Sequence, residues 1–391
     1  MFESVRSART LVHRMLAAAL VAGLVAVGGA PVAAQTTDTL AQRAILIEHA
    51  TGQVLLAKNA DEAVPPASMS KMMLLYMLFE QLAEGKLTME DTFPVSEKAW
   101  RMGGSKMFVL VNSRVSVHDL LRGIIVQSGN DACIVVAEAL GGSEAAFAER
   151  MTERGRELGL TNSVFLNSTG WPEDGHVMSA RDLATLATRI IQDFPQYYGI
   201  FGERSFTYAN IPQPNRNPLL FRYPGTDGLK TGHTEQAGYG LVASAVRNGR
   251  RLILVATGMA SEDARARETE RLMDWGFREF GNYEFFKAGE IVAQAPVWLG
   301  NKPTVPLVVA NGLTITMSRT ARRQMTVKTI FDGPIPAAIR QGQQVATLRI
   351  EAPDMEPIQL PLVAGANVDR LGLFGRLGAA VNYLVWGAPA E

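Results

Sequence analysis

A single cysteine, Cys133, stands in the 391 residues, so no internal disulfide can form. The five histidines, His13, His49, His118, His176 and His233, are scattered and no pair has metal-ligand spacing, so no metal is expected. No glycine-rich phosphate loop follows a strand, and no cofactor is expected. Charge of one sign is also missing: 38 basic residues balance 38 acidic ones, and nothing in the totals asks for a nucleic-acid partner. The apolar run Met15 to Val27 falls short of the ~20 residues a membrane span needs.

What is present first is a leader. Arg6, Arg9 and Arg14 precede that apolar run, and small residues follow to Ala33-Ala34-Gln35. A positive region, an apolar region and small residues before a cut are the parts of a secretory signal peptide, so residues 1–34 are expected to be removed. They carry three arginines and one glutamate, so the remaining chain has a net charge of about −2. No cysteine lies at the cut, which excludes lipid attachment there. Cys133 sits in an apolar stretch, Ala132 to Val136, and reads as a buried, inert thiol. At 47 % hydrophobic residues the chain has ample core, and its length implies two domains or one with extensions.

Residues 44–57 read as a hairpin turning at Thr51-Gly52. After Pro65-Pro66 a stretch to about Glu84 is apolar on most faces, which predicts a helix buried at a domain centre. Residues 86–215 read as helical with loops, with helices over Val117 to Gln127, Ser143 to Leu158 and from Ser179 through Ile191. From Gly228 strands take over, with Asn248-Gly249 as a hairpin turn, and a helix follows from about Asp263 to Trp275-Gly276-Phe277. Past residue 283, short apolar runs alternate with Gly, Pro and Asn, which predicts a small all-β domain. The last segment, Val368 to Trp386, mixes large apolar residues with Arg370 and Arg376 and reads as an amphipathic helix lying on a membrane surface, although Gly372, Gly375 and Gly378 weaken it in water. The expected domains are thus 35–283, 284–366 and a tail over 367–391.

Three short motifs carry the chemistry: Ser68-Met69-Ser70-Lys71, Ser128-Gly129-Asn130 and Lys230-Thr231-Gly232. A serine three residues before a lysine on a helix shares a face with it. Serine becomes a nucleophile when a base takes its proton, and lysine is that base only when burial or a second cation has lowered its pKa. Ser128 offers a hydroxyl for proton relay and Asn130 an amide for a substrate. Lys230 brings the second cation, Thr231 a hydroxyl, and Gly232 a place where a backbone approaches closely along a strand that a substrate extends. Each motif alone is weak; an ordinary turn or an exposed lysine explains it as well.

In this order, and 60 and 102 residues apart, they resemble the signatures of the penicillin-recognising serine enzymes. Within that group the chain is most similar to the D-alanyl-D-alanine carboxypeptidases, through Pro66 to Lys71, Gln127 to Cys133, Asp227 to Thr234, Ser179 to Asp182 and Trp275 to Phe277. The resemblance implies Ser68 as the acylated nucleophile, Lys71 as its base, Ser128 as proton relay, and Asn130, Lys230, Thr231 and Gly232 on the substrate. It further implies backbone N–H groups of Ser68 and His233 as an oxyanion hole, and Arg265 near the substrate carboxylate. It implies an α/β catalytic domain, an antiparallel sheet with a helical lobe, then a small all-β domain and an amphipathic helix. The implied activity is release of the terminal D-alanine from peptidoglycan stem peptides, with β-lactams as inhibitors, in a periplasmic enzyme held on the outer face of the cytoplasmic membrane.

The rivals are a class A β-lactamase and a non-catalytic, membrane-bound cell-wall binding protein, with a DD-endopeptidase as a variant within the favoured class. The first carries Glu-x-x-Leu-Asn, whereas the comparable place here, Ser163 to Asn167, has serine at the glutamate position.

Overall fold

The computed structural model describes residues 38–353 and 355–386; the expected leader lies outside them. Five strands form one antiparallel sheet: β1 (Arg43–Glu48), β2 (Val54–Lys58), β3 (Thr226–Thr234), β4 (Gly238–Arg247) and β5 (Arg250–Met259), in the order β2-β1-β5-β4-β3. The strands alternate between two cores, as a period of two dictates. Ile45, Val242, Ile253 and Val255 point into one, while Leu46, Leu241, Leu252 and Leu254 point into the other. Between β4 and β5, Asn248 and Gly249 both take positive φ, 52° and 75°, the geometry of a two-residue hairpin turn.

Helices cover both faces. The buried centre is α1 (Lys71–Ala83), in which every residue from Lys71 to Phe79 is buried. Around it pack α2 (Val117–Ile125), α3 (Asn130–Gly141), α4 (Glu144–Glu157) and α5 (Ala180–Asp193). Ser116, Ser143 and Ser179 cap three of these, each hydroxyl accepting the N–H three residues on. On the opposite face lies α6 (Glu262–Glu279), which buries Leu272 and Met273 and is capped by Ser261. Gly276 lets it pack closely, since a Cβ there would fall 2.6 Å from Leu46.

Strand β6 (Phe280–Phe286) continues directly from α6, before the expected boundary at 283/284. It pairs with β9 (Leu313–Ser318). A six-stranded sheet follows, built from β7 (Ile291–Trp298), β8 (Thr304–Val309), β10 (Thr326–Ile330), β11 (Ile335–Pro336), β12 (Gln344–Glu351) and β13 (Ile358–Ala364) in the order β10-β12-β13-β8-β7-β11. It has its own core around Val305, Leu307, Leu348 and Leu362. A short helix, α7 (Arg319–Gln324), follows β9, and the chain ends in α8 (Leu373–Trp386). That helix starts inside the segment that was expected to be helical from Val368.

Candidate active site

Ser68 lies in a single 3-10 turn, Ala67–Ser70, and α1 begins only at Lys71. Ala67 has φ of +49°, a left-handed conformation that costs an alanine roughly 1–2 kcal/mol. Two glycines hold this strained turn in place. A Cβ on Gly170, itself at φ +77°, would fall 1.9 Å from the Ala67 carbonyl oxygen, and one on Gly232 would fall 3.0 Å from that of Pro66. The space Gly232 was expected to leave for substrate is therefore taken by the nucleophile's own turn.

Lys71 is fully buried, while Ser68 is half-buried. The Lys71 Nζ donates to Ser68 Oγ at 2.7 Å and to the Thr169 carbonyl at 2.5 Å. Burial is the main cause that lowers Lys71 to about 8; the Arg216 charge lowers it further, against Cys133 and Asp131, which raise it. Once neutral, Nζ accepts the Ser68 proton along the same contact.

Ser128 sits in the turn between α2 and α3 with φ of +64°. Its Oγ accepts from Lys230 Nζ at 2.9 Å, and the same Nζ donates to the Thr231 carbonyl at 3.0 Å. Lys230 is fully buried in the middle of β3, not at its start, and burial, then Lys71 and Arg216, push its pKa well below the usual lysine value. Strand β3 is the edge of the sheet, so its outer side is open to a further strand. Asn130 begins α3, and its Nδ2 donates to the Gly103 carbonyl at 2.9 Å. The next residue, Asp131, is buried and accepts N–H bonds from Met107, Phe108 and Val109 at 2.9, 2.8 and 3.2 Å, which ties the 103–109 loop to the site. Cys133 is buried close by, its thiol pushed up to about 12 by burial, as suits an inert residue.

At the far end of the strand, His233 pairs with Tyr239 and their rings stack at 3.8 Å. The Arg265 guanidinium stands 5.7 Å over Tyr239, buried, with one bond to Glu262 at 3.1 Å. Arg265 is also among the charges that depress Lys230. The structure thus gathers Ser68, Lys71, Ser128, Asn130, Lys230, Thr231, Gly232, His233 and Arg265 where the helical side meets the sheet edge.

Sequence reasoning missed two contributors. Arg216 donates to Ser105 Oγ at 2.7 Å and lowers both lysines. It is held between Asn215 and Asn217, both buried and both bonded to backbone carbonyls. The only hint was a cation between two asparagines in a stretch with no periodicity. The second is Asn167. Its Oδ1 accepts from the N–H groups of Thr169, Gly170 and Trp171, forming the turn that aims the Thr169 carbonyl at Lys71. Four residues earlier, Ser163 is buried and donates to Asp182 at 2.7 Å. Among the described residues, no glutamate is hydrogen-bonded to Ser68 or Lys71.

Residues 30–261 match the family model described as D-alanyl-D-alanine carboxypeptidase. The chain belongs to the D-alanyl-D-alanine carboxypeptidase family. Residues 280–370 match a second model, the C-terminal domain of penicillin-binding protein 5. Among curated relatives, the D-alanyl-D-alanine carboxypeptidase DacC of Escherichia coli is 37 % identical over 341 residues, which is 85 % of each chain. Among solved structures, penicillin-binding protein 5 from Haemophilus influenzae is similar at a TM-score of 0.73 and 34 % identity, over 86 % of this chain and 99 % of that one. Penicillin-binding protein D2 from Listeria monocytogenes, solved in its ampicillin-bound form, is similar at a TM-score of 0.57 and 27 % identity, over 62 % of this chain and 100 % of that one. As a member of the carboxypeptidase family the protein is a serine peptidase.

Proposed function

We propose that Ser68 cleaves the terminal D-alanine from peptidoglycan stem peptides through an acyl-enzyme. The observation that carries this is the buried Lys71 amine, 2.7 Å from Ser68 Oγ and titrating near 8. Neutral Lys71 takes the Ser68 proton as Oγ bonds to the carbonyl carbon of the penultimate D-alanine. The developing oxyanion accepts the N–H groups of Ser68 and His233. As the C–N bond breaks, the leaving amine takes a proton passed from Lys71 through the Ser128 hydroxyl. Arg216 and Arg265 make the end of the cleft cationic, which suits the terminal carboxylate, and Lys230 and Thr231 offer it hydrogen-bond donors; Asn130 and the free edge of β3 hold the rest of the peptide. Water then hydrolyses the ester.

A β-lactam offers the same carbonyl and carboxylate and acylates Ser68. That no glutamate among the described residues is hydrogen-bonded to Ser68 or Lys71 supports a long-lived adduct over rapid hydrolysis. Assay of D-alanine release from a peptide ending in D-Ala-D-Ala tests the reading: wild type releases it and Ser68→Ala releases none. A wild type that releases none, or a Ser68→Ala variant as active as wild type, defeats it.

The substrate lies outside the cytoplasm, and the leader-like residues 1–34 support export to the periplasm. Attachment to the outer face of the cytoplasmic membrane through α8 completes the proposal. It is supported by an exposed apolar stripe: Leu373, Phe374, Leu377 and Val381 are 81, 93, 69 and 54 % exposed.

A further inference from the structure

A second cavity, of about 630 Å³, shares no residue with the Ser68 site. It lies between the turn joining β4 to β5, the end of α6 and the start of α7. Arg247, Arg250, Arg278 and Arg319 line it, with Asp274 as the one carboxylate and Phe277 as an apolar wall.

The four cations are not equally satisfied. Arg247 pairs with Asp274 at 2.9 Å and lies 4.1 Å over the Tyr223 ring. Arg278 pairs with Glu279 at 2.7 Å. Arg250 has no carboxylate partner among the described residues; it is aimed by the carbonyl oxygens of Gly276, Phe277 and Phe280 at the end of α6. The Arg319 side chain is exposed and has no hydrogen-bond or ion-pair partner among the described residues. Arg250 is held below the usual arginine value chiefly by burial, with Glu48 and Tyr283 raising it and the Arg319 charge lowering it by less. Arg250 and Arg319 thus face one cavity in which the only lining carboxylate, Asp274, is already paired with Arg247.

We propose that this cavity binds a ligand through a phosphate group. A phosphate monoester carries about −1.5 to −2 charges at neutral pH and three acceptor oxygens, which suits a cavity with four guanidiniums and one carboxylate better than a single carboxylate ligand does. The volume exceeds that of inorganic phosphate and leaves room for further atoms of the ligand, with Phe277 offering them an apolar surface. Bound there, it bridges the end of the catalytic sheet and the start of α7. A soluble phosphate ester and a phospholipid headgroup present the same chemistry.

The test is calorimetric titration of the whole chain with inorganic pyrophosphate. Wild type binds, and binding weakens as salt rises. Arg319→Gln weakens it by roughly tenfold, the loss of one charged hydrogen bond, and Arg319→Glu abolishes it. Acylation of Ser68 by penicillin stays unchanged in both variants, which reports an intact fold. Phosphatidylglycerol vesicles that displace pyrophosphate, where phosphatidylcholine vesicles do not, assign the site to a headgroup; failure to displace assigns it to a soluble ester. Absence of pyrophosphate binding, or equal affinity in wild type and Arg319→Glu, overturns the proposal.

Discussion

A lysine acts as a base only after losing its proton, and Lys71 loses it near 8 instead of 10.5 because burial strips its hydration. The sign of the pH dependence follows. Below 8 the amine is protonated and cannot take the Ser68 proton, so the rate constant for acylation by penicillin falls about tenfold per pH unit. Above 8 it levels off. Lys230 is depressed in part by Lys71, so the limb reports the pair. Stopped-flow acylation between pH 5 and 9 measures it, and a flat profile contradicts the assignment. Lys71→Arg is the companion variant: a guanidinium stays protonated, so acylation falls by roughly 10²–10⁴-fold and raising the pH restores nothing. Linkage gives the same sign for stability. Between about 8 and 10.5 the unfolded chain binds more protons at this residue, so its contribution to stability rises with pH across that window.

Among the elements, the turn 167–171 matters as much as the helix that bears the nucleophile. Gly170 faces the Ala67 carbonyl with no room for a methyl group and has a positive φ. Gly170→Ala is therefore expected to cost roughly 2 kcal/mol or more and to slow acylation, because Ala67 and the Thr169 carbonyl must both move. Gly175→Ala is the control: φ is +91° there, but the nearest atom lies 3.6 Å away on Leu166, so stability drops by about 1 kcal/mol and acylation holds. Thermal melts and penicillin-binding rates separate the two. Equal effects on acylation contradict this account of the turn. The same turn marks the limit of sequence reading. Local elements were legible because their signals are local: the all-round apolar α1, the short apolar runs of β4 and β5, and the Asn248-Gly249 turn between them. The partners of the two lysines were not, since the Thr169 carbonyl lies 98 residues from Lys71 and the Ser128 hydroxyl 102 from Lys230. Asn167 and Arg216 act only through such contacts, and no spacing announces them. The motif order made up part of the deficit: it linked Ser128 to Lys230 without any local pattern, and the two side chains lie 2.9 Å apart.

For the whole molecule, the membrane attachment proposed for α8 sets how the cleft within residues 38–279 is presented to peptidoglycan. The two parts meet through a polar joint: Asn282 on β6 donates to the buried Glu48 at 2.9 Å, and Thr316 meets Thr51 at 2.6 Å. No helix among the described residues is long and apolar enough to cross a membrane, so any attachment through α8 lies along the surface. Its exposed apolar residues fall at positions 373, 374, 377 and 381, one stripe of a helix. Burying two of these side chains is worth about 3 kcal/mol, roughly a hundredfold in partition. Replacing Phe374 and Leu377 together by glutamate is thus expected to release the protein from anionic vesicles by about that factor. D-alanine release from a soluble peptide stays at the wild-type rate, because neither residue touches the cleft. Deleting residues 373–391 has the same expected result in a sedimentation assay. A tail-deleted protein that still pellets with vesicles places the membrane contact elsewhere and removes the role proposed for α8.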